Sequence, residues 1–168
     1  MAAPTITDSV IVMGTGAGPI TSGNLTIASG DVVYVGILLS DGSPGTVSSV
    51  TSSGGGGAFS SIGDSGVVES FLRCHIWRST SPTAGTVTIS MTPAASTGEI
   101  GVIAVSVAGV DSGTPNGTAA FANGNGIGAD ATSASISCSK AAMRSKASTM
   151  SEHHTCFLGC SLFHDEAV

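Results

Sequence analysis

Between Gly85 and Val107 the pattern of apolar and polar positions changes once. Val87, Ile89 and Met91 first alternate with Thr86, Thr88 and Ser90, the period-2 signature of a strand with one wet face. After a turn the alternation disappears. Ile100, Val102 and Ala104 fall on one side, and Ile103, Val105 and Val107 on the other. A strand that is apolar on both sides lies in the middle of a packed sheet or under a partner.

The same reading, carried along the chain, predicts strands over residues 5–13, 24–27, 32–39, 47–51, 69–78 and 133–138, with a last strand over 155–164. Residues 32–39 are apolar throughout and read as central. In 69–78, Leu72, Cys74 and Ile76 share one face, and Phe71, Arg73, His75 and Trp77 the other. Glycine, serine and proline clusters punctuate the runs: 14–19, 41–45 and the four glycines of 54–57, read as a flexible loop. Residues 139–152 read as an irregular connection with at most a turn or two of helix at 140–144, because the Ser-Thr content of 145–151 opposes a longer one. Short strands at this spacing, with little or no helix, predict an all-β fold: a single antiparallel β-sandwich, jelly-roll or Ig-like, over residues 1–168.

Composition adds a constraint. The chain has 168 residues, enough for one domain with its own core. Only 10% are charged, well below the roughly 25% of an ordinary soluble domain. So few charges to keep chains apart suit a protein packed against copies of itself or against a larger assembly, the alternative being a soluble sandwich with a Ser/Thr surface. The net charge of −6 and five basic residues argue against nucleic acid and anionic membranes as partners, since phosphate binding needs clustered Lys and Arg. Lys140, Arg144 and Lys146 form a small cluster that reads as a solvated loop. Residues 1–7 have no basic n-region and no apolar h-region, and no apolar run reaches the ~20 residues of a membrane span. The expectation is a chain made in a cytoplasm, which stays there or leaves inside an assembly.

Candidate chemistry is sparse. Gly63-Asp64-Ser65-Gly66 has the letters found around a serine-protease nucleophile, but every histidine (His75, His153, His154, His164) follows it. In the chymotrypsin-like order the base precedes the serine, so a turn is the reading. Gly14-x-Gly16-x-Gly18 runs into Pro19 and opens no helix, so it does not make a dinucleotide loop. His153, His154, Cys156, Cys160 and His164 form the most metal-like group. If 155–164 is a strand, however, Cys156 and Cys160 stand about 13 Å apart and share no ion, so they read as buried thiols. Reduced thiols are likewise the expectation for Cys74 and Cys138. Residues 123–130 offer one carboxylate, too few for a strong calcium site. No catalytic residue, metal or cofactor is expected, and the chain reads as a non-enzyme. The one candidate interface is Arg73, His75, Trp77 and Arg78. The sole Trp, beside His and two Arg, either anchors a partner or caps the sandwich core, and the pattern leaves both open.

Four segments together carry a resemblance: Gly30-Asp31-Val32-Val33-Tyr34-Val35, Glu69 through Trp77, Gly85-Thr86-Val87-Thr88-Ile89-Ser90, and Val105 through Asp111. Their succession resembles small phage and prophage virion structural proteins. It covers roughly residues 30–111, with Ala108 interrupting the last segment. The resemblance implies a β-sandwich module on a virion, made in the host cytoplasm. The first expectation is a capsid decoration or cement protein that binds the major capsid protein or other virion proteins, self-associates and stabilises the shell. A tail, fibre or carbohydrate-binding module and a bacterial appendage subunit are the alternatives. The resemblance supplies no catalytic residues.

Overall fold

Strict alternation and doubly apolar runs fold as the period predicts. In the structure, a computed structural model, the strands are β1 (Thr5–Gly16), β2 (Ile20–Ile27), β3 (Val32–Ser40), β4 (Val47–Ser52), β5 (Ser60–Val68), β6 (Leu72–Ser79), β7 (Gly85–Pro93), β8 (Thr97–Ala108), β9 (Met143–Thr149) and β10 (Cys156–Leu162). The structure describes residues 4–41, 44–68, 71–95 and 97–110, and the strand backbones of 143–149 and 156–162. The strand read over 133–138 lies outside the described residues.

Two antiparallel sheets form the body, in the orders β1-β8-β3-β6-β5 and β2-β7-β4. They pack face to face as a β-sandwich, the expected all-β class, and no helix occurs among the described residues. The core between them comes from alternate positions. Val33, Val35, Ile37 and Leu39 of β3 and Ile100, Val102 and Ala104 of β8 meet Leu25 and Ile27 of β2, Val50 of β4, and Val87, Ile89 and Met91 of β7. β3 and β8 sit in the middle of the larger sheet, paired from Val32↔Val107 to Ser40↔Glu99. This is where doubly apolar strands belong.

Some boundaries depart from the sequence reading. β1 runs on through Gly14-Thr15-Gly16, because Gly14 and Thr15 stay paired with Ile100 and Glu99, and Gly16 closes the strand at a register shift opposite Thr97 with φ 93°. Residues 143–149, read as irregular connection, form β9 and pair with β10 from Met143↔Leu162 to Thr149↔Cys156. β5 was not expected, and Gly63-Asp64-Ser65-Gly66 is no turn. It lies within this edge strand, at a bulge between Asp64 and Val67.

The serine-rich composition has a structural use at the bulges, where extra residues leave ladder donors unpaired. In β5, Ser65 Oγ accepts the Cys74 N–H at 2.9 Å. In β2, where register shifts between Thr21 and Asn24, Ser22 Oγ accepts the Ile89 N–H at 2.9 Å in the buried core. A hydroxyl thus stands in for a carbonyl. Ser22→Ala leaves the Ile89 N–H unpaired, and a loss of about 1–3 kcal/mol is expected in denaturant unfolding.

Backbone hydrogen bonds tie the 54–57 loop and its approach to neighbouring segments. Gly55 O accepts the Thr83 N–H at 2.7 Å, and Thr88 O accepts the Ser53 N–H at 2.9 Å. Gly57 has φ 77°, and a Cβ there would stand 2.5 Å from Ser79 Oγ. Only glycine closes the loop this tightly onto β6.

Candidate functional site

The larger sheet has a second apolar face, turned away from the three-stranded sheet. Its positions follow from register. One row joins Ile6, Val107 and Val32, and the next Ser9, Val105, Tyr34 and Arg78. Then come Ile11, Ile103, Gly36 and Ile76, and after them Met13, Gly101, Leu38 and Cys74. A last row holds Thr15, Glu99, Ser40 and Leu72. Arg78 and Glu99 are the only side chains on these rows that carry a charge at neutral pH. An antiparallel sheet normally wets one face, and this one has apolar residues on both.

The two ends of that face differ. At one end Val32, Tyr34, Val105 and Val107 are buried and form their own cluster, joined by Ile62, Ile103 and Val110. At the other, Ile11 is 68% and Met13 65% exposed. Both stand on edge strand β1, whose inward residues Val10 and Val12 pack on the core. Met13 leans over the notch left by Gly101: a Cβ there would come 3.3 Å from its sulfur and 3.8 Å from the Leu38 Cβ. Strand period alone places Ile11 and Met13 opposite Val10 and Val12. The signal was in the sequence as the run Val10-Ile11-Val12-Met13, apolar at every position.

The four residues expected to form an interface are not brought together. Arg73, His75 and Trp77 pair with Leu39, Ile37 and Val35 and so share the inner side of the sheet. Arg78 pairs with Tyr34 and lies on the opposite face. Trp77 packs against the main core, which is the capping reading. The apparently greasier set, Leu72, Cys74 and Ile76, takes the outer side, where Cys74 and Ile76 share rows with Leu38, Met13, Ile103 and Ile11.

Arg73 reaches the rim, where its Nε and Nη2 donate to Asp64 Oδ1 and Oδ2 at 2.9 and 2.6 Å. That fork holds the Asp64 carboxyl below the usual carboxylate range, against the opposing push of burial. His75 is 4% exposed, with Nδ1 3.9 Å from Asp64 Oδ1. Its Nε2 is buried with no partner among the described residues, as are Trp77 Nε1 and Ser79 Oγ along the same side of β6. Burial drives the His75 pKa down. Nearby Asp64 opposes this and Arg73 adds to it.

The sign follows directly. A histidine depressed below its ordinary 6.5 takes up its proton more readily in the unfolded chain, so stability is lost as pH falls from about 6.5 through the native value. Melting curves between pH 7.5 and 5.5 are expected to show that decline. His75→Leu should flatten it, and an unchanged slope in the variant would place the proton uptake elsewhere.

Ser65 is engaged with the Cys74 and Gly66 backbone, and Asp64 with Arg73, so the Gly-Asp-Ser-Gly letters serve a bulge and an ion pair. No group of three or more His, Cys, Asp or Glu residues placed to hold a metal occurs among the described residues. His153, His154, His164 and Cys138 lie outside them. No helix among the described residues is long and apolar enough to cross a membrane.

No protein-family model, curated protein or solved structure matches the chain in comparisons with known proteins.

Proposed function

We propose that the chain is a non-enzymatic virion structural protein, a capsid decoration or cement module. It docks on the outside of the shell through the open end of its outer face. The observation that carries this reading is the pair Ile11 and Met13, 68% and 65% exposed on two adjacent rows that hold no charged residue. Scattered exposed apolar residues are ordinary, but a contiguous apolar face marks a docking surface. Burying it releases about 25 cal/mol per Å² of apolar area. Association costs consume much of that in one contact, and repetition over a lattice accumulates the remainder. The chain's 10% charged residues suit the same use.

Antibody raised against the chain, applied to particles from the native source and viewed by electron microscopy, tests the reading. Label spaced regularly over the shell is the expected image. Label confined to tails or to a separate filament, or absent from particles, would overturn the decoration role. The tail or appendage readings would replace it only in the first two cases.

A further inference from the structure

The buried end of the outer face needs a cover that the sandwich does not provide. Val107 and Val32 are 0% and 1% exposed, and Tyr34 and Val105 6% and 8%. These residues stand on the side of the sheet away from β2, β4 and β7. Of their described apolar neighbours, Ile62 and Ile103 belong to the same sheet, and Val110 follows its last core strand. A sheet's own residues pack beside one another and do not form a layer above it.

The chain itself is led to this spot. Gly109 takes φ 74°, a conformation that costs other residues energy. Immediately after it, Val110 turns back onto the cluster. Everything C-terminal to Val110 therefore starts from the buried end of the outer face. Downstream lies the β9–β10 hairpin. A two-stranded ribbon alone in water is marginal at best and needs an apolar surface beneath it.

The register of the hairpin supplies the matching side. Met143↔Leu162 and Ala147↔Leu158 are cross-strand pairs at alternate positions, with Ser145↔Cys160 between them. The other register side holds Arg144↔Ser161, Lys146↔Gly159 and Ser148↔Phe157. The first side carries no charged residue and holds all of the ribbon's aliphatic ones, while the second carries two of the chain's five basic residues beside Phe157. Residues 111–142 make a connection that reaches on the order of 100 Å when extended, so length does not restrict the docking.

We propose that the β9–β10 hairpin of the same chain covers the Val110 end of the outer face as a third layer. Its Met143, Ala147, Leu158 and Leu162 register side lies on Val105, Val107, Val32 and Tyr34, and its Arg144 and Lys146 side faces outward. The Ile11–Met13 end stays open. This inference does not depend on where the protein resides.

Thiol mapping of the full-length chain tests it. Val105→Cys places a thiol under the cover, and Ile11→Cys places one at the open end. With residue-resolved mass spectrometry, the Val105→Cys thiol should react with maleimide at least tenfold more slowly than the Ile11→Cys thiol. A short bis-maleimide should link it to Cys156 or Cys160 within one molecule. In the Leu158→Asp/Leu162→Asp background, with circular dichroism confirming the sandwich, that protection should disappear.

Equal reactivity of the two thiols would overturn the proposal. So would links only to Cys138, which would make residues 111–142 the cover. Links only between molecules, with protection that rises with protein concentration, would make a second copy the cover. Protection that survives the double Asp substitution also contradicts it. The comparison of the two thiols in the parent background stands even if the hairpin variant does not fold.

Discussion

Asp31→Ala is expected to lower stability by about 3–5 kcal/mol, and the melting temperature by roughly 10 °C. Asp31 is buried where the turn out of β2 meets the larger sheet. Its Oδ2 accepts from Thr7 Oγ1 at 2.7 Å, from Ser106 Oγ at 2.6 Å and from the Ala28 N–H at 3.1 Å. One carboxylate oxygen therefore ties β1, β8 and the 28–31 turn together. The bulge between Ile6 and Asp8 places Thr7 for this bond. Alanine leaves the Ser106 hydroxyl, which is wholly buried, and the Ala28 N–H without their charged acceptor. Hydrogen bonds to a charged group are worth about 1.5–3 kcal/mol each, and a domain's whole margin is about 5–15 kcal/mol.

The same carboxylate predicts acid sensitivity. Burial pushes its pKa up, but the bonds from Ser106, Thr7 and Ala28 outweigh burial and hold it below the ordinary 3.8. A depressed carboxyl contributes stability that is complete above its unfolded value and is lost as pH falls through its native one. Asp8 and Asp64 are shifted the same way, but both are far more exposed to solvent. Urea midpoints should therefore fall below about pH 4 in the parent. Asp31→Asn, already destabilised at neutral pH, should fall less steeply, and parallel slopes in the two proteins would show that Asp31 is not the main acid-sensitive group.

The second large effect is on assembly. Ile11→Lys with Met13→Lys should leave the unfolding midpoint within about 0.5 kcal/mol of the parent, because both side chains are largely exposed. Docking should weaken by at least about a hundredfold. Burying each large apolar side chain is worth about 1.5–3 kcal/mol, each 1.4 kcal/mol is a factor of ten, and a lysine there adds a desolvated charge. Sedimentation of concentrated protein, and rebinding to particles stripped of it, measure the change. Unchanged association with intact folding would move the docking surface elsewhere.

The sequence made β3, β7 and β8 readable because period and apolar runs are local properties. Val87-Thr88-Ile89 can only be a half-wet strand, and Ile100 to Val107 only a doubly covered one. β5 was hidden because Ser-Ser-Ile-Gly-Asp-Ser-Gly has no period of two. Its two register shifts erase the alternation that a strand normally writes. The β6 faces were separable, but their direction was not. Leu72, Cys74 and Ile76 look like a core side until the register with β3 puts His75 opposite Ile37 and Trp77 opposite Val35. The Asp31 knot was invisible because its partners lie 24 and 75 residues away. The open Ile11–Met13 end was legible only as one apolar run too many. Which half of that run is uncovered follows from β1 standing at the edge, a property of the whole sheet.

Methionine oxidation tests the docking face most directly. Met13 is 65% exposed and Met91 wholly buried, so one chain carries both probe and control. Peroxide converts accessible thioethers to sulfoxides. In the free protein Met13 should oxidise rapidly and Met91 hardly at all. In protein assembled on native particles, Met13 oxidation should slow at least tenfold while Met91 stays as it was. Equal Met13 oxidation in the free and assembled protein would contradict docking through this face.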